Sequence, residues 1–489
     1  MMLLAAVDLG SNSFRLEIGR VEGTQILRQN YWKETVRLAA GLDENNRLSR
    51  KAIESACECL ARMNERLRDM PASQVRAVGT QTLRSAVNVN EFLLEAQAAL
   101  GFPIDVISGR EEARLVFEGC MHTLAPSPAR RLVVDIGGGS TEIIVGRGFT
   151  AEAAESFRIG CVNTTLRFFR DGTIDRGSMR RATVAAAAQL EEAAGVFSRK
   201  NWDEAYGTSG TIDAVADILR AEGWSDGTIT AEGLLRLRQA LVAAGEAKRI
   251  RLQGLKPERR DVIAGGVAVL AAVFDTLGIS EMRTARGALR IGLLYDLLGR
   301  REDRDVRDAT VERLQTRFGV DRAQAARVAR VAAQLHAALA GGAKADAVKR
   351  LAWAAALHEV GSAISHDDYH KHGAYLITHA DLPGFATSDQ QRIAQLVLGQ
   401  RGNLKKVAAA LAEPEQATAL LALRLAVVFC HARRDVELPR LTLKRARGAV
   451  ELGLDGGWLA AHPLTHHLLE EEAAHWVRAG LGFELRTLD

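Results

Sequence analysis

The chain of 489 residues is long enough for roughly three or four domains, and with 47% hydrophobic and 25% charged residues it is neither disordered nor fibrous. A net charge of +4 suits anionic partners without requiring them. The uncharged apolar stretch Val262–Phe274 is shorter than the roughly 20 residues of a membrane span, and five cysteines without a Cys-x-x-Cys pair argue against a disulfide framework. Because the N-terminus lacks a basic segment typical of signal peptides, we expect a cytoplasmic protein.

Apolar runs and amphipathic stretches alternate through the first hundred residues. Leu3–Val21 predicts a hairpin of two buried strands, and Lys33–Leu42 follows as a connector. Ser49–Met70 has apolar residues at helical spacing, and its first residue is the predicted N-cap. Val75–Thr80 and Ile104–Ile107 have the length and composition of strands. This alternation is typical of an α/β domain.

A second α/β region follows Leu124–Arg131, a segment with two prolines that we interpret as a linker. Leu132–Arg147 predicts another hairpin, and Ala205–Thr211 predicts a strand that enters a polar turn. The apolar stretch Val262–Phe274 predicts a buried helix, and Gly287–Leu298 predicts the helix that closes this region.

From Arg300 onward the composition shifts to helices rich in alanine and arginine. They are predicted at Asp308–Phe318, Arg322–Ala340 and Ala347–His358. From about residue 429 short apolar runs predict a small α+β region, which we expect to end in a helix at Leu464–Ala479.

The two predicted hairpins carry an internal repeat. Val7–Arg20 reads VDLGSNSFRLEIGR and Val134–Arg147 reads VDIGGGSTEIIVGR, so that Asp8 matches Asp135 at a constant offset. Two equivalent hairpins imply two like domains that face one cleft, each with a polar tip. Without the repeat, each tip would be interpreted as an ordinary tight turn.

Glycines and hydroxyl groups at the two tips predict phosphate binding. Residues without a Cβ let backbone N–H groups converge on an oxyanion, and serine hydroxyls add donors. No Gly-Lys-Ser/Thr sequence follows, so neither tip is a Walker loop. The predicted phosphate-binding residues of the tips are Asp8, Gly10, Ser11, Asn12, Ser13, Gly137, Gly138, Gly139 and Ser140.

Two carboxylates beside the second tip predict a metal site. Asp135 and Glu142 flank the glycines and offer hard oxygen ligands, which suit Mg²⁺ or another divalent cation.

Further phosphate donors are predicted where two strands end. Arg84 lies just beyond one strand, at the edge where open α/β sheets bind ligands, although alone it would be interpreted as a surface arginine. Ser209, Gly210 and Thr211 occupy the turn after another strand and are predicted to bind phosphate.

Six motifs, in this order, resemble one family: DLGSNSFRL, GTQTLR, ISGREEARLVFEG, VDIGGGSTE, GTSGT and LHEVG. They look like those of the exopolyphosphatase / guanosine pentaphosphate phosphohydrolase family, within the actin-like ATPase and sugar-kinase superfamily. The resemblance implies an α/β fold with two actin-like (ribonuclease H-like) domains around a cleft, at residues 1–125 and 126–302. An all-α HD-like domain (303–428) and a small α+β C-terminal domain (429–489) are expected to follow.

The resemblance also implies a phosphoanhydride hydrolase. It places the catalytic base at Glu112, while Glu111 is expected to form a capping box with Ser108. The implied function is that of an exopolyphosphatase, which releases terminal orthophosphate from inorganic polyphosphate by metal-assisted attack of water.

Alternative functions stay open at this point. Guanosine pentaphosphate could be hydrolysed at the same site. A sugar kinase, an actin-like protein that binds ATP or polyphosphate, or a sensing module without turnover would belong to another class, although Glu112 argues against a kinase. The expected partners are polyphosphate or guanosine pentaphosphate, with no nucleic acid required. We expect a homodimer and leave peripheral membrane association open.

Two departures from the family pattern stand out. Ile291 occupies a position where the family usually has glutamate, and we interpret it as a packing position. The doublet of an HD phosphohydrolase would be His-Asp, whereas this chain has His358-Glu359, with His366, His370 and His372 nearby. A metal at these histidines is an open alternative.

Overall fold

A computed structural model of the chain describes residues 2–301, 305–340, 345–446 and 449–488. The chain divides into two compact units, Met1–Asp305 and Val306–Asp489. Within the described ranges, none of the helices combines the length and apolar composition needed to cross a bilayer.

The first sheet of unit 1, within residues 2–301, has the strand order β3-β2-β1-β4-β5. β1 pairs with β2 and β2 with β3 in antiparallel fashion, whereas β4 and β5 run parallel to β1. The strands are β1 (Leu3–Leu9), β2 (Phe14–Glu22), β3 (Gln25–Glu34), β4 (Val75–Gly79) and β5 (Ile104–Val106).

The second sheet, in the same range, repeats this plan with the order β10-β11-β9-β6-β7-β8. An antiparallel meander, β6 to β8, is again extended by a strand parallel to its first member, β9. The strands are β6 (Arg130–Ile136), β7 (Thr141–Arg147), β8 (Thr150–Phe157), β9 (Glu204–Thr208), β10 (Ile229–Thr230) and β11 (Glu281–Thr284). The repeat in the sequence is therefore a repeat of topology.

Helices cover both sheets of unit 1. The helix predicted after residue 49 is present, because the Ser49 side chain accepts a hydrogen bond from the Ala52 N–H at 3.3 Å and its apolar face is buried. The helices are α1 (Arg50–Leu67), α2 (Gln81–Ser85), α3 (Val89–Leu100), α4 (Gly109–Met121), α5 (Cys161–Phe168), α6 (Arg176–Leu190), α7 (Gly210–Ala221), α8 (Ala231–Ala244), α9 (Ile263–Leu277) and α10 (Leu289–Arg301).

Helices α4 and α10 pack with their backbones in contact. A Cβ at Gly119 would strike the Ala288 carbonyl oxygen, and a Cβ at Gly292 would strike that of Leu115. A buried ion cluster lies beside this contact: Asp296 of α10 accepts hydrogen bonds from Arg114 of α4 at 2.6 Å and from Arg300 at 2.8 Å. Arg76 of β4 also donates to Asp296. The cluster fixes α4 against α10 and β4.

Unit 2 is helical and carries a small sheet of order β12-β13-β14 in its described residues. Buried Arg424 of α17 forms an ion pair with Glu472 of α19, with 2.7 Å between Nη2 and Oε2. The elements are α11 (Val306–Arg317), α12 (Arg322–Ala340), α13 (Ala345–Ala356), α14 (Tyr369–His379), α15 (Thr387–Gly399), α16 (Ala408–Ala412), α17 (Pro414–Phe429), β12 (Leu441–Ala446), β13 (Ala449–Asp455), α18 (Gly456–Ala461), α19 (Pro463–Arg478) and β14 (Gly482–Leu488).

Two expectations about elements are wrong. Part of the predicted connector Lys33–Leu42 belongs to β3, an edge strand whose largely exposed, polar residues hide it from an apolar pattern. The chain does not end in the helix predicted at Leu464–Ala479, because β14 follows α19 and pairs parallel with β13. The domain boundaries at 125, 302 and 428 stay a prediction.

Candidate functional site

The tips of the two repeated hairpins enclose a cavity of about 90 Å³, which we call the inner cavity. All the predicted site residues line it except Arg84 and Thr211. Those on its wall are Asp8, Gly10, Ser11, Asn12, Ser13, Glu112, Asp135, Gly137, Gly138, Gly139, Ser140, Glu142, Ser209 and Gly210. Residues from both halves of the repeat and from α4 therefore meet at one place.

The two loops approach each other closely. A Cβ at Gly138 would lie 3.3 Å from the Ser11 Cβ, and a Cβ at Gly139 would lie 3.0 Å from the Ser11 hydroxyl. Gly137, Gly138 and Gly139 all have ordinary negative φ angles or extended backbone, since none of these described residues has positive φ. A side chain at Gly138 or Gly139 would therefore require the opposite loop to move by a few tenths of an ångström.

Glu112 lies in the first turn of α4. The Ser108 side chain caps this helix by accepting a hydrogen bond from the Glu111 N–H at 3.1 Å, which is the serine half of the predicted capping box. The Glu111 carboxylate accepts two hydrogen bonds from Arg114, at 2.8 and 2.9 Å, so it belongs to the buried cluster behind the helix. Glu112, one residue later, faces the inner cavity.

Arg84 is engaged with Glu112. Its Nη1 donates to the Glu112 Oε2 at 2.7 Å and to the Ile107 carbonyl at 3.1 Å, and Gln81 accepts two further hydrogen bonds from its guanidinium group. Arg84 therefore lies behind the cavity wall, where it fixes Glu112. Thr211 also lies outside the wall, because its N–H donates to the Ser209 side chain at 3.2 Å.

Four carboxylates converge on the inner cavity: Asp8, Glu112 and Glu142 are buried, and Asp135 is half-buried. Burial is the largest influence and raises the pKa of each. The negative charge of Glu112 raises the pKa of Asp135 and of Glu142 further. The positive charge of Arg15 lowers the pKa of Asp8 and of Asp135, against the effect of burial. Negative charge is thus concentrated where a cation or proton would stabilise it.

Ser209 has strained backbone at the edge of the cavity. Its φ of 107° lies in a region that residues with a side chain rarely adopt. The same residue caps α7, where its hydroxyl accepts hydrogen bonds from the N–H groups of Thr211 and Ile212. The Arg259 guanidinium lies over Gly210, where a Cβ would collide with it. This turn therefore brings a helix N-terminus and an arginine to the cavity wall.

A larger cavity of about 570 Å³, which we call the outer chamber, adjoins the inner one and shares Arg15, Arg259 and Arg290 with it. Its basic lining residues are Arg15, Arg28, Lys33, Lys256, Arg259, Arg286 and Arg290, against the acidic residues Glu17, Asp213 and Glu258. Burial lowers the pKa of Lys33, and the nearby charges of Arg259 and Arg15 lower it further. Ile291, predicted as a packing position, lines this chamber.

Three arginines of the site escaped the sequence analysis. Arg15 follows the first tip, and its Nε is buried without a hydrogen-bond partner among the described residues. Arg290 lies 3.8 Å from Asp8 and donates to Glu17 at 3.1 Å, and Arg259 reaches the cavity from a distant segment. Arg15 stands inside the motif DLGSNSFRL, and Arg290 stands next to Ile291 in the helix predicted at Gly287–Leu298; these were the available signals, and nothing local marks Arg259.

Of the histidines singled out in unit 2, His358 is hydrogen-bonded within the protein, whereas the Nδ1 of His370 is buried without a hydrogen-bond partner among the described residues. The His358 Nδ1 lies 2.7 Å from the Ala355 carbonyl oxygen, and Arg433 donates to both carboxylate oxygens of Glu359. Across the parts of the chain that the structure describes, no group of three or more His, Cys, Asp or Glu side chains is arranged to hold a metal ion.

Comparisons with known proteins agree with this architecture. A model of the Ppx/GppA phosphatase family matches residues 21–301, and a model of Ppx/GppA phosphatase domain III matches residues 306–473. A guanosine-5'-triphosphate,3'-diphosphate pyrophosphatase from Vibrio cholerae is 39% identical over 476 residues, which cover 96% of this chain and 95% of that protein.

Solved structures show the same fold in unit 1. An exopolyphosphatase from Cytophaga hutchinsonii superposes with a TM-score of 0.55 at 22% identity, over 61% of this chain and 98% of that one. A Ppx/GppA family member from Aquifex aeolicus gives a TM-score of 0.52 at 24% identity, over 61% and 98% of the two chains.

Two repeated α/β halves around a cavity lined by glycine-rich loops and carboxylates form the actin-like fold that the sequence predicted. The chain belongs to the Ppx/GppA phosphatase family. It is an enzyme that hydrolyses phosphoanhydride bonds, so the kinase and non-enzymatic alternatives are set aside. Its helical third region and small C-terminal sheet also agree with the expected fold class.

Proposed function

We propose that this enzyme is an exopolyphosphatase that releases terminal orthophosphate from inorganic polyphosphate at the inner cavity. The observation that carries the proposal is the position of Glu112, a buried carboxylate on the wall of a cavity that both repeated loops enclose. The cavity is small enough for one phosphate group, and it adjoins the larger, basic outer chamber, with which it shares residues.

The loops and arginines would bind the terminal phosphate. Ser11 and Ser13 of the first loop and Ser140 of the second supply hydroxyl donors, and the glycines supply backbone N–H groups. The buried, unpartnered Nε of Arg15 supplies a charged donor. Positioning and charge neutralisation are most of what phosphoryl transfer requires from a protein.

Glu112 would act as the general base that accepts a proton from the attacking water. Its burial raises its pKa, and the 2.7 Å hydrogen bond from Arg84 lowers it and holds the carboxylate in place. Arg84, predicted to bind phosphate, is better supported as the residue that positions this base. Phosphate binding by Thr211, which lies behind the wall, lacks support from the geometry.

The donor set fits a divalent cation such as Mg²⁺. Asp135 and Glu142 are oxygen donors on the cavity wall. The negative charge of Asp135 raises the pKa of Glu142, and that of Glu112 raises the pKa of both, a repulsion that a cation would relieve. Mg²⁺ is usually held by one or two carboxylates together with substrate oxygens and water, so a preformed cage of three side chains is not required. When bound, the cation would neutralise charge that develops on the transferred phosphate.

The outer chamber would accept the remainder of the substrate. Its seven basic residues against three acidic ones favour a polyanion, and its volume of about 570 Å³ suits several phosphate groups. It would also suit a nucleoside, which makes guanosine pentaphosphate the second candidate substrate. The 39% identical relative named for a guanosine substrate supports this candidate directly.

The test is phosphate release from long-chain polyphosphate and from guanosine pentaphosphate, measured side by side with Mg²⁺ and with a chelator. We expect higher kcat/KM on polyphosphate, and loss of release from both substrates when Glu112 is changed to glutamine. Release from guanosine pentaphosphate alone would make the second candidate the function, and release from neither would contradict both. A homodimer and peripheral membrane association stay predictions.

A further inference from the structure

The start of helix α5 holds the carbonyl groups of the second loop. The N–H of Cys161 donates to the Gly137 carbonyl at 2.9 Å, and the N–H of Val162 donates to the Gly138 carbonyl at 2.9 Å. The third carbonyl, that of Gly139, accepts a hydrogen bond of 2.9 Å from the Nδ2 of Asn163. Two backbone N–H groups and the Asn163 side chain therefore each hold one of the three loop carbonyls.

This arrangement determines where the N–H groups of the loop point. In a trans peptide the C=O and the following N–H lie on opposite sides. Carbonyls held toward α5 therefore turn the N–H groups of Gly138, Gly139 and Ser140 away from α5. Among the described residues, none of these three N–H groups donates to a protein acceptor. They are left free for an oxyanion at the inner cavity, which all three residues line.

In the first loop, the carbonyl groups are held by backbone N–H donors alone. The Ala39 N–H donates to the Ser11 carbonyl and the Arg37 N–H donates to the Asn12 carbonyl, both at 2.9 Å. Asn12 occupies the position in the repeat that Gly139 occupies in the second half. The carbonyl at this position is therefore held in both halves, by a backbone amide in one and by the Asn163 side chain in the other.

The Asn163 side chain is itself fixed. Its Oδ1 accepts a hydrogen bond from the Gly160 N–H at 2.7 Å, and its Nδ2 also donates to the Arg158 carbonyl at 3.1 Å. A Cβ at Gly160 would lie 2.5 Å from the Gly138 carbonyl carbon and 2.7 Å from the Gly139 nitrogen, so the loop rests directly on this turn. The bond from the Gly160 N–H fixes the orientation of the Asn163 side-chain amide, so that its Nδ2 faces the Gly139 carbonyl oxygen.

We propose that Asn163 is a positioning residue that orients the Gly139–Ser140 peptide, so that its N–H binds the phosphate group in the inner cavity. The inference rests on the proposed function in that it assigns phosphate to this cavity. It concerns affinity for the phosphate group itself, which can be measured without turnover.

The decisive variant is Asn163→Asp. Aspartate keeps the size of the side chain and the acceptor for the Gly160 N–H, but it replaces the donor with an oxygen that repels the Gly139 carbonyl. The matched control is Asn201→Asp, since the Nδ2 of Asn201 also donates to backbone carbonyls, those of Gly195 and Val196, in a loop that lines neither cavity. Both changes add one negative charge to unit 1.

The first readout is the dissociation constant for inorganic phosphate, measured by calorimetric titration of the full chain. The second is kcat and KM for phosphate release. We expect Asn163→Asp to weaken phosphate binding and to lower kcat/KM by about 10- to 100-fold, the scale of a misplaced oxyanion donor. Asn201→Asp should leave both within twofold of the original chain. Failure of the proposed function would remove turnover but leave the phosphate titration as a test.

Phosphate affinity within twofold of the original in Asn163→Asp would overturn the inference, as would equal losses in Asn163→Asp and Asn201→Asp. If Asn163→Asp does not fold, Asn163→Ala is judged by the same two readouts. Failure of both Asn163 variants to fold, while Asn201→Asp folds, would show a structural role and would also overturn it.

Discussion

Arg15 and Glu142 occupy equivalent positions in the two halves of the repeat, and each lies directly across its hairpin from an aspartate. Arg15 pairs with Asp8 in the register of β1 and β2, and Glu142 pairs with Asp135 in that of β6 and β7. The first hairpin therefore presents charges of both signs, whereas the second presents two carboxylates. The repeated scaffold has one half suited to an anion and one half suited to a cation.

This asymmetry predicts how the two aspartates differ in their response to Mg²⁺. Changing Asp135 to asparagine removes one of two paired carboxylates, so we expect the Mg²⁺ concentration for half-maximal phosphate release to rise several-fold. Asp8→Asn should shift it less, because Asp8 lies across its hairpin from Arg15, whereas Asp135 lies across its hairpin from the carboxylate of Glu142. Mg²⁺ titrations of phosphate release make the comparison. Equal shifts, or no shift in Asp135→Asn, would contradict a cation at the second hairpin.

A second prediction separates the two neighbouring glutamates of α4. Glu112→Gln removes the proton acceptor and keeps the size of the side chain, so kcat should fall about 10²–10⁴-fold while phosphate affinity changes little. Glu111→Gln disturbs its two hydrogen bonds from Arg114, so it should lower the free energy of unfolding with a much smaller loss of kcat. Steady-state kinetics and urea denaturation of both variants provide the measurements.

Equal losses of kcat in the two glutamine variants, at equal stability, would refute the assignment of Glu112 as the base.

The third prediction concerns the wall of the outer chamber. Ile291→Glu adds a negative charge to a lining with an excess of basic residues, so the KM for polyphosphate should rise roughly fivefold, the equivalent of about 1 kcal/mol. Ile291→Leu keeps an apolar side chain and serves as the control. Because salt screens such interactions, the difference between the two variants should shrink at high ionic strength. A KM that is equal in both variants at low salt would show that the chamber does not contact the substrate.

The fourth prediction uses the buried cluster around Asp296. Burial alone would raise the pKa of this carboxyl, but Arg76, Arg300 and Arg114 outweigh it and hold the pKa below its ordinary value of 3.8. Asp296→Asn leaves three guanidinium groups with less compensation and should cost about 3–5 kcal/mol of unfolding free energy at pH 7.

The pH dependence of this cost has a definite sign. A carboxyl with a depressed pKa in the folded state contributes stability above its unfolded pKa and loses it as the pH falls through the folded value. The difference between the original chain and Asp296→Asn should therefore be complete at neutral pH and narrow below about pH 3.8. Urea denaturation of both at several pH values tests this, and a constant difference would contradict it.

The site was predictable from sequence where it depends on local pattern. Both hairpin tips were found because Asp-x-Gly-x-x-Ser recurs at a fixed offset, and Glu112 was found through a motif. Arg259 was not found, because only the folding of a distant segment brings it over Gly210. The pairing of Arg84 with Glu112 also depends on how α2 and α4 pack.

Only part of the reason why glycines occupy the second loop could be inferred from the sequence. We predicted them from their lack of a Cβ, which lets backbone N–H groups converge on an oxyanion, and none of Gly137, Gly138 and Gly139 has positive φ. The structure adds a second constraint, because a Cβ at Gly138 would lie only 3.3 Å from the Cβ of Ser11, more than a hundred residues away. The pattern of one loop contains no information about its distance from another, so this requirement could be seen only in the folded chain.

The two ways of holding the loop carbonyls have different consequences for sequence change. At positions 37 and 39 the donors are backbone amides, which every residue type except proline provides. Most substitutions at Ala39 preserve the hydrogen bond, and at Arg37 the residue type is limited only by its left-handed backbone, with a φ of 56°, and not by the hydrogen bond itself. At Asn163 the same bond requires a side-chain donor of one length. The hydrogen bond therefore restricts the residue type in the second half of the repeat, at Asn163, but not in the first half.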